Sequence, residues 1–520
     1  MRRYALCVFS SLFWAFAVGA APSAATPAAA ATAAGGFEVV SVEPAARVVS
    51  APVSSVIRVR FSAPVERATV VARRSFWAFG RWSGPVDGAF EFSDGDRVVT
   101  LRPDRPFSAG ESVMVVLSNA LAAAGGGGLR SGGYSFQFWT ASAAAGLEFE
   151  EVQRFSTRTT PGETTQSYGG FASDLDEDGF LDLSIVNEDT ADVRVYLNKA
   201  DFSGTFDPML TPTGVGGTPS PSEPSDFNAD GHVDVAIANI TGDSVSILLG
   251  AGDGTFPSHQ EIPTGDAPRG IAVLDVDGDG DTDVVNTNFG SSSLTLLRND
   301  GAGSFGAPES FGTGADGEWA LAAGDMDGDG LLDLVVGGRS SETIRVYSGD
   351  GDGTFTAGPS QASGGGVWML VLGDVDGDGD EDVAGVNAFD NNGAILLGDG
   401  QGGLAPPVTH PTDPFCLATD LADLDGDGDL DWVTASFSGD WFLFENDGAG
   451  IFTFNQAFDA PQAASCSLAL DIDNDGDLDL ALIDEIADVV IVMAHPGPGG
   501  LIFQDGFEGG DASAWSVAFP

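Results

Sequence analysis

Short apolar runs separated by turn residues are the dominant pattern of this chain. Between about Phe37 and Ser142 apolar and polar positions alternate, as in Ser55-Val-Ile-Arg-Val-Arg-Phe61, Arg97-Val-Val-Thr-Leu-Arg102 and Ser112-Val-Met-Val-Val-Leu117, with Pro, Gly and Asp between the runs. No helical period competes with them, so residues 37–142 are expected to form a small antiparallel sandwich. From about Ala143 the pattern becomes a repeat. A strand of small residues delivers an acidic stretch, and a short apolar strand follows it, as in Asp234-Val-Ala-Ile-Ala-Asn239 and Asp333-Leu-Val-Val-Gly337. After a polar turn comes a second apolar strand ending in Gly/Asn-Asp-Gly and an aromatic, as in Leu296-Leu-Arg-Asn-Asp-Gly-Ala-Gly-Ser-Phe305 and Phe444-Glu-Asn-Asp-Gly-Ala-Gly-Ile-Phe452. A looser strand completes the unit.

The acidic stretch has the frame D-x-D-x-D-G-x-x-D and occurs seven times, starting at Asp174, Asp226, Asp275, Asp325, Asp374, Asp423 and Asp471. Successive starts lie 52, 49, 50, 49, 49 and 48 residues apart, a register that signals a repeat architecture. Four short strands per ~49 residues match one propeller blade, whose apolar face is buried only by stacking on its neighbours. The expected fold is therefore all-β, a seven-bladed β-propeller over residues 143–503 behind a β-sandwich. Leu147 to Ser156 precedes the first acidic stretch where an outer strand would sit, and either it or Leu501 to Phe503 closes the ring.

Each frame carries a legible chemistry. Alternate side chains on a tightly curved loop converge, so positions 1, 3, 5 and 9 offer oxygen to one cation, position 7 can add a carbonyl, and glycine at position 6 permits the turn. The candidate ligands are Asp174, Asp176, Asp178 and Asp182; Asp226, Asn228, Asp230 and Asp234; Asp275, Asp277, Asp279 and Asp283; Asp325, Asp327, Asp329 and Asp333; Asp374, Asp376, Asp378 and Asp382; Asp423, Asp425, Asp427 and Asp431; and Asp471, Asp473, Asp475 and Asp479. A hard all-oxygen shell of this size suits Ca²⁺ better than Mg²⁺ or Zn²⁺. About seven structural Ca²⁺ ions are expected, the weakest in the second loop, where Asn228 brings no charge. A sensor role would need a bistable element, and the sequence shows none.

Charge enters the picture through these loops. Lys and Arg total 21 against 77 Asp and Glu, a net charge of −56, and 33 of the acids belong to the seven frames. Seven Ca²⁺ would bring the balance to about −42. Such a surface repels phosphate backbones and anionic membranes, which argues against nucleic acid as a partner. At the N-terminus Arg2 and Arg3 precede an apolar run from Tyr4 to Val18, and Val18-Gly-Ala20 fits a cleavage site, so residues 1–20 read as a signal peptide and the chain as secreted or held at the cell surface. The run is short for a membrane anchor, and no span is expected after cleavage. Residues 21–36, rich in Ala, Pro and Thr, read as a linker.

The landmarks Ser41-Val-Glu-Pro44, Val59-Arg-Phe-Ser-Ala-Pro64, Leu101-Arg-Pro103, Phe107-Ser-Ala-Gly110 and Tyr134-Ser-Phe-Gln-Phe-Trp-Thr140 make residues 37–142 similar to the bacterial Ig-like domain of S-layer and other surface proteins. That resemblance implies a spacer. The acidic frame paired in phase with N-D-G-x-G-x-F makes residues 147 to 503 resemble the FG-GAP/VCBS repeat family, the integrin-α-type propeller with calcium loops. The fifth repeat departs from the pattern by ending Gly402-Gly-Leu404 without the aromatic, and the seventh ends His495-Pro-Gly-Pro-Gly-Gly-Leu-Ile-Phe503. Residues 504–520 resemble a short C-terminal tail of secreted proteobacterial proteins.

In such blades the acidic loop joins the first and second strands on one face. Loops of the opposite face carry Trp319, Trp368 and Phe415 on entering the inner strands, and Asn187, Asn239, Asn288, Phe289, Asn387, Phe389, Phe437 and Trp441 between second and third strands. Aromatic platforms beside amides suit sugar rings, whereas the plainer reading has the aromatics packing blades and the Asn residues capping turns. Trp319, Trp368, Phe415, Phe289, Phe389 and Trp441 are the candidate ligand face, and a surface glycan or an extracellular protein is the candidate partner. Cys416 and Cys466 are either bridged, as export would favour, or two buried thiols. The four histidines, His232, His259, His410 and His495, stand in no zinc-binding spacing, and no nucleophile elbow is present. The expected function is a non-catalytic adhesion or ligand-binding module. The alternatives are a polysaccharide-degrading enzyme built on a calcium-loop propeller and a purely structural surface protein.

Overall fold

Period-two alternation decides how the N-terminal domain is built. The computed structural model describes residues 36–312 and 317–496; the export segment, most of the linker, the alternative closing strand and the C-terminal tail lie outside them. Val39–Glu43, Ile57–Phe61, Val98–Pro103 and Gly88–Ser93 form one four-stranded sheet, and Gly84–Pro85, Phe76–Gly80, Ser112–Leu117 and Tyr134–Trp139 form the second, in those orders. Ile57, Val59 and Phe61 alternate inward from the first sheet; Phe76, Ala78, Val113, Val115, Phe136 and Phe138 do so from the second.

The second sheet is apolar on its other face too. Phe79, Trp82, Met114 and Trp139 each pack into a core cluster of the repeat region. The sandwich is therefore docked on the repeats, and the expectation of a spacer is corrected: a strand apolar on both faces must be covered on both.

Among the described residues the repeats form seven further four-stranded sheets. Their innermost strands are Ser167–Ser173, Pro219–Ser225, Pro268–Leu274, Glu318–Gly324, Val367–Gly373, Cys416–Ala422 and Ala464–Leu470. Each contacts the next in sequence, and Ala464–Leu470 contacts Ser167–Ser173, so the inner strands surround a channel. The second strand of every sheet, from Asp182–Asn187 to Asp479–Asp484, is buried at each of its six residues, because it lies between the faces of adjoining sheets. That two-sided burial is why these strands read as continuous apolar runs.

The seventh sheet takes its outermost strand from Glu150–Ser156, which precedes the first acidic loop and pairs antiparallel with Val489–Ala494. Both ends of the repeat region thus share one sheet. Cys416 and Cys466 are both free and buried, so the bridge that export would favour is not formed. No helix among the described residues is long and apolar enough to cross a membrane.

Trp82 is 6% exposed and its carbonyl accepts the Asp174 N–H at 2.9 Å. Trp82→Ala should cost about 3–5 kcal/mol in chemical denaturation. A freely hinged sandwich would lose far less, since its Trp82 would already be wet.

Candidate metal loops and the channel behind them

The ninth residue of each acidic frame is also the first residue of the second strand, and this double role builds the loop. One oxygen of that Asp accepts the backbone N–H of the frame's second residue, at 2.9–3.2 Å in all seven copies. The other accepts an N–H at the end of the third strand or just beyond it, from Asn198, Gly250, Asn299, Gly349, Gly398, Asn446 and His495, at 2.7–3.1 Å. One buried carboxylate therefore clamps the loop to two strands. Three of these Asn residues also reach the preceding sheet: Asn198 donates to the Ile472 carbonyl, Asn299 to that of Phe227 and Asn446 to that of Val375, at 2.7–2.8 Å.

The first Asp of the frame accepts the N–H of the glycine at position 6, as at Asp275 and Gly280 (2.9 Å). That glycine has φ between 77° and 98° in every copy, a conformation a Cβ would strain. The fifth residue accepts the N–H of the seventh, as at Asp329 and Leu331 (2.7 Å), an Asx turn that finishes the curl.

The curl gathers oxygens. Ligand atoms lie within 4.8 Å of one another in Asp174, Asp176 and Asp182; in Asp275, Asp277 and Asp279; in Asp325, Asp327 and Asp333; in Asp374, Asp376 and Asp382; and in Asp423, Asp425 and Asp427. Among the described residues, Oδ1 of Asp174, Asp277, Asp423 and Asp473 is buried with no hydrogen-bond partner. Buried oxygens are rarely left so, and a hard cation would satisfy them. Burial, ahead of the neighbouring carboxylates, raises Asp182, Asp234 and Asp431 to about 8 and Asp479 to about 9. The donor set fits a divalent metal of the oxygen-loving class.

The docked sandwich meets all seven loops. Arg105 pairs with Asp174 (3.0 Å), Arg74 with Asp281 (3.3 Å), Arg130 with Asp329 (3.8 Å), and Arg47 with both Asp325 (3.5 Å) and Asp380 (3.8 Å). The Arg73 guanidinium lies against Gly231. Ser142 Oγ donates to the Asp423 carbonyl (2.7 Å), and the Ala143 N–H to that of Gly476 (2.6 Å). This face is therefore covered.

The channel is a cavity of about 300 Å³ whose loop end is lined by Phe79, Arg81, Trp82, Met114 and Trp139 of the sandwich. Inside it Arg81 lies 3.5 Å from Asp420, and Glu223 is raised to about 7 by burial.

At the other end every inner strand breaks register just after its first residue. A bulge re-aims the side chain it carries, and the residues so placed include Tyr168, Arg269, Trp319 and Trp368, all of which line the cavity. Trp319 and Trp368 thus lie within the inner strands and not in the loops before them. Trp368 Nε1 donates to Tyr168 Oη at 2.5 Å, from the fifth sheet to the first.

Of the six aromatics expected at this face, five form one cluster. Ring centres lie 4.8 Å apart for Phe289 and Trp319, 4.3 Å for Trp319 and Trp368, 5.2 Å for Trp368 and Phe415, and 5.1 Å for Phe415 and Phe389. Phe389 is 52% exposed. Trp441 is not among them: it is fully buried and donates to the Cys466 carbonyl at 2.8 Å. Asn187, Asn239, Asn288 and Asn387 are buried too, each donating to the side chain that opens the third strand of its sheet. Tyr168 and Arg269 escaped the sequence reading, although both stand second in their strands, as Trp319 and Trp368 do.

Carboxylates raised by burial favour the metal-free fold when protonated, so with chelator present stability should fall as pH climbs from the ordinary Asp value toward about 8. Saturating divalent cation should oppose that fall, because it occupies the oxygens as protons leave. Thermal unfolding across pH, with and without metal, checks both. A flat profile in chelator would contradict the burial of these groups.

A family model described as FG-GAP-like repeat matches residues 226–286, 275–336, 325–385, 374–434 and 423–482, each window running from one acidic loop through the next. A second, described as bacterial Ig-like domain, matches residues 33–140. No curated protein matches the chain in sequence. Among solved structures, BBS1N in complex with ARL6DN, soaked with lead, is 13% identical over 67% of this chain and 98% of that one, with a TM-score of 0.48. An Agrocybe aegerita lectin that recognises non-reducing terminal N-acetylglucosamine is 18% identical over 76% and 94%, with a TM-score of 0.42. A functionally unknown protein from Desulfotomaculum acetoxidans DSM 771 is 13% identical over 58% and 91%, at 0.40. Likeness at this level says nothing of function. The chain is an FG-GAP repeat protein with an N-terminal bacterial Ig-like domain.

Proposed function

We propose that this protein is an extracellular, calcium-loaded, non-catalytic module that binds a sugar at the channel mouth remote from the acidic loops. The observation that carries the reading is the contrast between the two ends of the ring. The loop face is covered by the sandwich, whereas the other mouth carries the joined cluster of Phe289, Trp319, Trp368, Phe389 and Phe415. Rings of this kind stack on the apolar faces of pyranoses.

Calcium is supported by the all-oxygen donor set, by its unpartnered buried oxygens and by the FG-GAP-like repeats themselves. Its role here is structural: it neutralises clustered carboxylates and holds the first two strands of each blade. An extracellular setting is supported by the bacterial Ig-like domain and by the basic-then-apolar N-terminus.

A second reading, polysaccharide cleavage, has one observation in its favour. Glu188 and Glu485 are both raised to about 7, by burial first and then, for Glu188, by Glu485 itself. A carboxyl near neutrality suits a general acid.

Metal analysis of the purified protein should return about seven calcium ions per chain. On a glycan array, Phe389→Ala should weaken binding about tenfold or more, roughly 1.4 kcal/mol, with melting in Ca²⁺ little changed, because this ring is half exposed. Release of reducing ends from any bound polysaccharide would replace the binding reading with the catalytic one. Silence on the array would leave a structural surface protein.

A further inference from the structure

Two of the few cations of this chain lie at the aromatic mouth, and they are neighbours. The Arg339 guanidinium carbon lies 4.5 Å from the ring centre of Trp319, 4.6 Å from Phe389, 5.1 Å from Trp368 and 5.2 Å from Phe289. That of Arg269 lies 4.1 Å from the centre of the same Trp319 ring, and its Nε is buried with no hydrogen-bond partner.

Most other described arginines of this acidic chain are spent on carboxylates, as Arg47, Arg74, Arg105 and Arg130 are on the loops and Arg194 and Arg298 are within the repeats. Among the described residues neither Arg269 nor Arg339 has a carboxylate within 4.0 Å; Glu188 acts on Arg269 only through space. With 77 acidic residues available against 21 basic ones, two guanidiniums without a carboxylate partner, both set against the Trp319 ring, are a specific arrangement. Each keeps its charge beside a like charge and against aromatic carbon, where water screens it poorly. A guanidinium engaged by rings uses its face and leaves its edge N–H groups for a planar anion.

We propose that Arg269 and Arg339 form an anion site and that the sugar of the channel mouth is an acidic one. Its carboxylate or sulfate meets the two guanidiniums while its ring lies on Phe389, the exposed member of the cluster. This rests on the sugar-binding reading above and narrows it. The anion supplies what the fold withholds from this pair, a counter-charge, and fork-on-carboxylate geometry makes the contact directional.

The test uses the full calcium-loaded chain and four probes: chondroitin, its carboxyl-reduced form, dextran sulfate and dextran. Titration calorimetry should show at least one acidic member binding about tenfold or more tighter than its neutral counterpart. Whichever acidic member binds identifies the anion as carboxylate or sulfate. Arg339→Gln should erase that preference with melting unchanged, and Arg339→Lys should keep part of it, retaining charge without the fork. Equal binding of acidic and neutral members, or a preference that survives Arg339→Gln, overturns the anion site and leaves sugar binding intact. No binding to any of the four overturns both.

Discussion

A single carboxylate, the last of each acidic frame, organises a blade. It accepts from the start of its own loop and from the chain beyond the third strand, so loop, second strand and third strand are joined at one buried point. The same residue belongs to the candidate metal shell in three of the clusters, at Asp182, Asp333 and Asp382. Burying an ionised carboxylate is costly unless its charge is compensated. Gathering several of them beside unpartnered oxygens creates donor sets that a hard cation would compensate, and such clusters recur around the ring.

The docked sandwich follows from the same charge. A face carrying seven acidic loops would repel most partners, yet here it is covered by arginines from the domain that precedes it in sequence. These ion pairs are partly shielded, as Arg47 shows at 11% side-chain exposure, and each adds modestly. The larger contribution comes from Phe79, Trp82 and Trp139, which bury apolar surface against the blades. With that end covered, ligand access is left to the opposite mouth. The sandwich therefore decides which end of the channel is left uncovered.

At the uncovered end, a backbone irregularity and not a loop insertion supplies the lining. Every inner strand is bulged after its first residue, so side chains that regular pleating would place between blades are directed at the channel. The small residues beyond them, Gly169, Gly170 and Ala172 among others, keep the channel open. Chemistry at the mouth is thus set by one position per blade, and it differs around the ring: Tyr168 on the first blade, Arg269 on the third, Trp319 and Trp368 on the fourth and fifth.

Strand order, the repeat period and the loop chemistry were determined locally. The spacing of Asp residues around an obligatory glycine dictates the curl, and continuous apolar runs dictate strands buried on both faces, so both could be read along the chain. Glu150–Ser156 could be suspected as the closing strand but not chosen, because its pairing with Val489–Ala494 joins residues more than three hundred positions apart. The cover over the loop face was decided only by tertiary structure. Trp77, Phe79 and Met114 alternate out of the sandwich core, a signal present in Phe76-Trp-Ala-Phe79, yet alternation alone does not say what lies across the gap. The same limit separated Trp441 from the other aromatics: it opens the third strand, Trp441–Glu445, where it is buried, whereas Phe437 and Phe389 stand in the turns that follow the second strands. A residue's type and period follow from its neighbours in the chain, whereas exposure and partnership depend on surfaces that meet only when the ring closes.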